Sequence, residues 1–297
     1  MSDDPLVEVH FTPELNEPVM IVAMDGWIDA GGGAANAMSA LLSTTGAEVV
    51  AEFDADRLLD HRARRPVMKL VEGVNTGLSW PGIELRAAVD LDGRDLLILV
   101  GAEPDHTWRA FSTDVLELAR DFGTRLVVGL GAYPATVPHT RPVTLSVTAS
   151  TPDLAAVSGL LRGTLDVPAG VQAVIEGRSV EFGLSAVGLW AQVPHYLSGE
   201  MTPYPAAALA LLDQLERTAG LRLPKGELAD AARRTQNRID AAMGGNDDHL
   251  AMLREMERQH DENVAEAAGT HPSSMDLPSA DELADEVERF LRDQGGS

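Results

Sequence analysis

Strand-like and helix-like segments alternate along the first 221 residues, and this alternation limits the possible folds more than any other feature of the chain. Apolar runs rich in β-branched residues occupy positions 19–24, 47–53, 96–100, 125–130 and 186–193. Helical patterns lie between several of these runs, as at 107–122. Buried strands that alternate with helices are typical of parallel sheets. The sequence therefore predicts an α/β fold with a mostly parallel sheet, to which 67–72 and 83–89 add half-exposed strands.

The pattern changes near Leu221, after which only helical segments follow. Two helices that form a hairpin, a linker and a last amphipathic helix are predicted in turn, at 226–243, 247–260, 265–278 and from 279 onward. Residues 225–297 contain 17 acidic and 8 basic side chains. We therefore divide the chain into an α/β core domain at 1–221 and an acidic helical C-terminal extension at 222–297. This extension is either a docking or oligomerisation element or a solvated appendage that packs on its own core.

Charge and cysteine content exclude several functional classes. The chain has a net charge of -23, which would repel the phosphates of a nucleic acid or an anionic membrane. It has no cysteine, so disulfides, thiolate catalysis and cysteine-ligated metals are excluded. No secretory signal and no apolar run long enough to cross a membrane are recognisable. We expect a soluble cytoplasmic protein with protein partners rather than nucleic-acid or membrane partners.

Polar and aromatic side chains cluster directly after several of the predicted strands. In an open parallel sheet the carboxyl ends of the strands meet along one edge, where ligands commonly bind. We name these residues the strand-end set and predict that they form a ligand site or an interaction surface. The set comprises Asp25, Gly26, Trp27, Asp29, Gly31, Gly32, Glu103, Asp105, Trp108, Tyr133, His139, Arg141, His195 and Tyr196.

Two kinds of chemistry are open to this set, and each has a structural alternative. The glycine run at 31–33 opens a helix, so its backbone N–H groups either bind an anion or form a turn that lets the helix pack closely. Paired carboxylates such as Asp25 with Asp29 serve in acid–base catalysis or metal binding, or they cap helices and loops. The glycine run matches neither the P-loop nor the dinucleotide fingerprint. We assign no catalytic residue, no metal and no cofactor.

Four segments of the chain resemble the proteasome assembly chaperone family, in its uncharacterised actinobacterial branch. They are D-G-W-x-D-A-G-G at 25–32, G-A-E-P-D-x-x-W-R-x-F at 101–111, G-L-G-A-Y-P-A-T-V-P-H-T-R-P at 129–142 and L-W-A-Q-V-P-H-Y at 189–196. The resemblance implies a three-layer α/β/α sandwich similar to the nucleoside phosphorylase/hydrolase fold. It also implies self-association, with a trimer as one form. The C-terminal hydrophobic–tyrosine tail of the eukaryotic chaperones is not matched, because this sequence ends in Gly-Gly-Ser.

Two functions follow from these observations. The first is a non-catalytic protein-interaction or assembly-chaperone-like role, which the resemblance favours. The alternative is a small-molecule-binding protein or enzyme that uses the strand-end set in the manner of a nucleoside phosphorylase. Fold likeness does not carry chemistry with it, so the geometry of the set has to decide between them.

Overall fold

A computed structural model describes residues 5–26, 28–158, 160, 162–198, 203–245 and 247–269 of the chain. The strands are β1 (Val7–Val9), β2 (Val19–Asp25), β3 (Glu48–Phe53), β4 (Val67–Val71), β5 (Val74–Ser79), β6 (Ile83–Val89), β7 (Asp95–Ala102), β8 (Leu126–Ala135), β9 (Leu145–Ala149) and β10 (Ala186–Pro194). The α-helices are α1 (Gly33–Thr45), α2 (Ala55–Leu58), α3 (Trp108–Asp121), α4 (Pro152–Val157), α5 (Val171–Arg178), α6 (His195–Ser198), α7 (Pro205–Ala219), α8 (Leu228–Met243) and α9 (Asp247–Gly269). None of the described helices is both long and apolar enough to cross a membrane.

Eight strands form one mixed sheet in the order β1-β3-β6-β7-β2-β8-β10-β9, and β4 and β5 form a separate two-stranded sheet. The predicted parallel core is present at its centre, where β2 runs parallel to both β7 and β8. The margins differ from the prediction, because β1, β3, β6 and β7 pair antiparallel in succession and β9 pairs antiparallel with β10. Short connections explain the difference, since β6 and β7 are joined by a tight turn at 90–94 rather than by a crossover helix. The α/β class is confirmed.

The chain divides into two compact units. Unit 1 comprises residues 1–27, 45–129 and 169–186, and unit 2 comprises 28–44, 130–168 and 187–297. In unit 1, α3 buries Phe111, Val115, Leu116 and Ala119, whose spacing places them on one face of the helix. Phe111 is fully buried, and its ring packs edge to face on that of Phe53 with 4.9 Å between the ring centroids. Burial of such a side chain contributes about 1.5–3 kcal/mol, so this contact helps hold α3 on the sheet.

Unit 2 contains the first two helices of the predicted extension. Helix α8 begins and ends near its predicted bounds. Helix α9 begins at the predicted residue but continues to Gly269, nine residues beyond the predicted end and into the predicted linker. Both bury apolar side chains, among them Ile239, Met243, Leu253 and Met256. These two helices are therefore packed elements of unit 2. The predicted helix from 279 and most of the linker lie outside the described residues.

Two further elements differ from the sequence prediction. The strand predicted at 67–72 is β4, but it forms an isolated hairpin with β5 in which every residue of both strands is exposed. It is therefore not half-buried in the main sheet. Strand β5 and helix α5 were not predicted, because Gly77 interrupts the first and the second is only eight residues long.

Candidate functional site

In unit 1, the ends of β2 and β7 bring Asp25 and Glu103 together. The two strands are parallel, and Asp25 lies opposite Ala102 in their register. Glu103 follows directly, and its backbone N–H donates to the carbonyl oxygen of Asp25 at 2.7 Å. The neighbouring Gly26 is required by this close approach, since a Cβ at that position would lie 2.8 Å from the Glu103 Cβ and 2.7 Å from Arg64 Nη2. The predicted meeting of these strand ends is present in the structure.

Arg64 lies among the acidic residues of this cluster. Its Nη1 donates to the Asp25 carbonyl oxygen at 3.2 Å, and its Nε lies 3.4 Å from Asp105 Oδ2 in an ion pair. The arginine comes from the segment between α2 and β4, and the sequence analysis did not select it. The only signal for it was the run of arginines at 62, 64 and 65 in an otherwise acidic chain.

Glu103 is a buried carboxylate that accepts a hydrogen bond at the start of α5. Its Oε1 accepts from the Val171 N–H at 2.7 Å, and the residue is only 9% exposed. Burial raises the pKa of Glu103, while the Val171 N–H and the charge of Arg64 oppose that rise. Burial likewise raises the pKa of Asp25, against the charge of Arg64. The pKa of each carboxyl group therefore lies above its ordinary value.

Asp105 and Trp108 hold neighbouring loops together. Asp105 Oδ2 accepts from the Asp60 N–H at 2.8 Å, and the Asp105 N–H donates to the Leu58 carbonyl oxygen at 2.8 Å. The Trp108 indole N–H donates to the carbonyl oxygen of Pro104. These are loop-fastening contacts, so the polar atoms of both side chains are already used within unit 1.

In unit 2, Asp29 fills the helix N-terminus that the glycine run opens. Its carboxylate accepts from the N–H groups of Ala34 at 2.7 Å and Ala35 at 2.9 Å. A carboxylate in this place compensates the partial positive charge of the first turn, as a bound anion would. Gly33 packs so closely that a Cβ there would lie 2.9 Å from the Ala132 Cβ. The geometry matches the structural alternative, a capped turn with close helix packing.

Gly31 and Gly32 form a left-handed turn ahead of α1. Their φ angles are 59° and 60°, which favour glycine. The Gly31 carbonyl oxygen accepts from the Tyr204 N–H at 2.7 Å, and a Cβ on Gly31 would lie 2.7 Å from the Tyr204 Cβ. Burial raises the pKa of Tyr204 to about 12, so its phenol stays neutral. Trp27, the remaining member of this loop in the strand-end set, lies outside the described residues.

His139 is buried between Tyr196 and helix α8. The Tyr196 hydroxyl oxygen accepts from the His139 backbone N–H at 2.9 Å and lies 2.6 Å from His139 Nδ1. His139 Nε2 lies 3.1 Å from Asp240 Oδ1. The two contacts fit one neutral tautomer, in which the Tyr196 hydroxyl donates to Nδ1 and Nε2–H donates to Asp240. His139 is 3% exposed, and its ring joins α6, through Tyr196, to α8, through Asp240.

Arg141 fastens α9 in the same way. Its Nε and Nη2 donate to the two carboxylate oxygens of Asp261 at 2.8 and 2.7 Å, and its Nη1 donates to Glu257 at 3.2 Å. Thr140 also donates to Glu257, at 2.5 Å. The hydrogen bond from Arg141 lowers the pKa of Asp261. The loop at 136–144 was predicted to form part of a site. Acidic residues of the predicted extension contact this loop, and the sequence did not predict that contact.

Tyr133 and His195 also contact side chains of unit 2. The Tyr133 hydroxyl contacts Ser146 Oγ at 3.1 Å and accepts from Gln192 at 2.9 Å, and burial raises its pKa. The His195 ring packs edge to face on Tyr196 at 5.4 Å. Across the described residues, no group of three or more His, Asp or Glu side chains is arranged to hold a metal ion. The hydrogen-bonded members of the strand-end set fasten neighbouring elements within each unit.

An exposed apolar surface lies elsewhere in unit 1, on the β4–β5 pair, which we call the 67–79 hairpin. Six large apolar side chains on it are 47–71% exposed: Val67, Met68, Leu70, Val71, Val74 and Leu78. Trp80, directly after the hairpin, is 55% exposed. Contiguous exposed apolar side chains mark interaction sites on soluble proteins.

A groove of about 750 Å³ also lies in unit 1, and we call it the acidic groove. Four carboxylates and no basic side chain are among its lining residues, which are Pro5–Glu8, Glu52–Ala55, Trp80–Glu84, Val100 and Gly101. Glu8 lies opposite Glu52 in the β1–β3 register, and Glu52 lies opposite Glu84 in the β3–β6 register. Register partners share one face of a sheet. Glu8, Glu52 and Glu84 therefore form a row of like charges across three strands.

Comparison with known proteins places the chain in a family. The sequence model of the PAC2 family matches residues 23–243. A solved Mycobacterium tuberculosis protein of unknown function is 33% identical, with coverage of 97% of this chain and 98% of that one and a TM-score of 0.85. A Streptomyces avermitilis PAC2 family protein is 39% identical, with 75% and 95% coverage and a TM-score of 0.70.

A third structure carries a functional description. A Mycobacterium tuberculosis proteasome-assembly chaperone homologue is 32% identical to this chain over 80% of it and 99% of the homologue, with a TM-score of 0.73. A search among curated proteins finds no significant match. Because the family match spans most of the chain and includes all four segments that suggested the resemblance, this protein belongs to the PAC2 family.

Proposed function

We propose that this protein is a non-catalytic assembly factor that acts by binding other proteins and by self-association, with proteasome subunits as the first candidate partner. One observation carries the proposal. The side chains of Asp29, Glu103 and His139 have hydrogen-bond partners inside the chain, whereas the 67–79 hairpin exposes six large apolar side chains. Proteasome subunits are the first candidate partner because one relative is described as a proteasome-assembly chaperone homologue.

The small-molecule alternative is less well supported by the same geometry. The N–H groups of Ala34 and Ala35 that would hold an anion are bound by Asp29, and both ring nitrogens of His139 have partners. A ligand in either place would have to displace an internal hydrogen bond. The nucleoside phosphorylase-like sandwich, the trimeric state and the cytoplasmic location that the sequence suggested stay predictions.

Binding to proteasome α subunits tests the proposal. Full-length protein is immobilised and exposed to purified α subunits from the same organism, in 0.15 M and in 0.5 M salt. Because the chain has a net charge of -23, high salt separates specific binding from electrostatic adsorption. We expect retention of α subunits at both salt concentrations. Absence of retention at both, with no effect on the rate of ring assembly, would overturn the proteasome assignment.

Thermal shift separates the assembly factor from the small-molecule alternative. The protein is heated with nucleosides, nucleotides and phosphorylated metabolites at millimolar concentration. A ligand at 100 times its Kd stabilises a protein by about 2.7 kcal/mol, which moves the melting temperature measurably. We expect no shift with any of these compounds, and a reproducible shift with one class would instead establish a ligand site.

A further inference from the structure

Strand β1 is the last strand on one side of the eight-stranded sheet, and no other described strand lies beyond it. It pairs antiparallel with β3, and the His10 N–H donates to the Val50 carbonyl oxygen at 2.9 Å. Hydrogen-bonded positions alternate along an antiparallel pair, so the backbone groups of Val7 and Val9 point away from β3. Such an open edge is a template for a further strand.

A row of carboxylates begins at this edge and leads into the acidic groove. Glu8 is on β1 itself, and Glu52 and Glu84 follow on β3 and β6. Neighbouring strands lie about 4.8 Å apart, so the row extends about 10 Å inward from the edge. His10 lies 2.8 Å from Glu52 and Arg86 lies 2.6 Å from Glu84, whereas Glu8 has no ion-pair partner among the described residues. The charge nearest to the open edge is therefore available to a cation from outside.

Part of the lining of the acidic groove is apolar. It includes Phe53, Ile83, Val100 and Trp80. Trp80 is 55% exposed, and its ring packs edge to face on the ring of His61 with 5.0 Å between the centroids. Lysine and arginine lay their apolar stems on such surfaces and keep their charged ends near carboxylates or over an aromatic ring. The groove is thus suited to a long basic side chain.

Pairing of two copies through their β1 edges is opposed by the same carboxylates. In such a two-fold pair Val7 of one copy would lie opposite Val9 of the other, so each Glu8 would face its counterpart. Like charges directly opposite each other destabilise a sheet, and the whole chain has a net charge of -23. The edge therefore selects against a second copy and in favour of a positively charged strand.

We propose that an extended basic segment of another protein adds as a strand to the edge of β1 and places a lysine or arginine side chain in the acidic groove. Strand addition of this kind takes its affinity from backbone hydrogen bonds and its specificity from alternate side chains. The inference rests on the proposed role in binding other proteins. It adds a surface of unit 1 and the chemistry of the partner that this surface fits.

The register of β1 also sets the pattern of the segment. A residue that lies opposite Glu8 shares its face of the sheet and meets the carboxylate row. The residues on either side of it point to the other face, next to Val7 and Val9, of which Val9 is 41% exposed. The fitting segment therefore alternates basic and apolar side chains over about five residues, a common strand length.

Peptide binding to the full-length protein, measured by fluorescence polarisation, tests this pattern. The probe is a labelled peptide of about ten residues in which lysine alternates with valine. We expect it to bind saturably, and we expect a glutamate–valine peptide of the same length to bind roughly tenfold more weakly or not at all. Equal binding of the two peptides, or no binding of the lysine–valine peptide, overturns the proposal.

Backbone methylation distinguishes strand addition from general charge attraction. Two further lysine–valine peptides carry N-methyl groups on every valine or on every lysine. Because alternate residues of a strand direct their N–H groups to the same side, only one of these sets faces β1. We expect one methylated peptide to lose binding and the other to retain it. Equal binding of both shows that no backbone pairing occurs and overturns the proposal.

Charge reversal locates the site on the protein. We expect Glu8→Lys with Glu52→Lys to weaken binding of the lysine–valine peptide roughly tenfold. The control is Glu117→Lys with Glu181→Lys, which changes the net charge equally at exposed residues of unit 1 outside the groove and should leave binding unchanged. All four side chains are exposed, so both variants should keep the wild-type melting temperature. Equal weakening in the two variants contradicts the proposal.

The peptide experiments are scored separately from the binding of α subunits. Retention of α subunits without binding of the lysine–valine peptide removes the groove as a site and leaves the proposed function standing. Peptide binding that depends on Glu8, Glu52 and the backbone N–H groups, without retention of α subunits, supports the groove and assigns it a partner other than the proteasome.

Discussion

The loops that follow β7 in unit 1 and β8 in unit 2 have similar residue types but different electrostatics. After β7, the carboxyl group of Glu103 is buried and its pKa is raised by that burial. After β8, the buried group is the imidazole of His139, and the charges of Arg141 and Asp261 pair at the surface. The loop after β7 thus contains a buried acid whose charged form is disfavoured by burial, whereas the charged groups after β8 stay partly exposed to water.

Replacement of His139 should have the largest effect of the changes that probe this comparison. His139→Ala removes a buried ring and leaves the Tyr196 hydroxyl and the Asp240 carboxylate without their partner. Such a loss costs about 2–4 kcal/mol of the free energy of unfolding. Urea denaturation followed by circular dichroism measures it.

The control for this change is another histidine that also pairs with a carboxylate. His10 contacts Glu52 at 2.8 Å, but the two side chains are 34% and 55% exposed. We expect His10→Ala to change the free energy of unfolding by less than about 0.5 kcal/mol. Equal effects of the two substitutions would show that His139 is not a structural fastener of α8.

The strand ends were predictable from the sequence because hydrophobic patterning locates buried strands. Asp25 and Glu103 follow such strands directly, so their proximity follows from parallel pairing alone. The capping role of Asp29 was also among the predicted alternatives. Both inferences depend on residues close to a regular element, where local sequence carries most of the information.

The partners that fill these sites were not predictable in the same way. Arg64 reaches Asp105 over 41 positions of sequence, and Arg141 reaches Asp261 over 120. Charged side chains on helices are usually solvated, so the acidic face of α9 gave no signal that one part of it meets Arg141. The isolated hairpin was missed for a related reason. Its first strand was predicted as a half-exposed strand of the main sheet, because the local pattern does not show which strand it pairs with; the residues of β4 and β5 are all exposed.

Glu103→Gln tests the buried acid after β7, with a smaller expected effect. A group whose pKa is raised in the folded state stabilises it most when protonated, and that contribution is lost as pH rises through the folded pKa. The wild type should therefore lose stability relative to Glu103→Gln as pH increases from below 4.5 to 7. Melting temperatures of both proteins across this range measure the difference.

The sign of that change is what makes the experiment informative. The amide of glutamine still accepts the Val171 N–H, so the hydrogen bond is largely kept while the charge is removed. Glu103→Asp retains an ionisable group and should keep the pH dependence. A difference between wild type and Glu103→Gln that stays constant with pH would mean that the burial of Glu103 does not disfavour its charge.

Weakening the ion pair between Arg141 and Asp261 after β8 should have the smallest effect of these changes. Arg141→Lys keeps the positive charge but loses the two-pronged contact with Asp261, so we expect amide hydrogen exchange in α9 to become only a few-fold faster. The pKa of Asp261 is lowered in the folded state, which means its contribution is present above the unfolded value of about 3.8 and is lost as pH falls through the folded pKa. The difference in exchange should therefore shrink in strong acid and in 1 M salt, unlike the change at His139, which involves no surface charge pair. Arg254→Lys on the same helix is the control. An equal acceleration of amide exchange in that variant would show that the effect of Arg141→Lys does not come from the lost contact with Asp261.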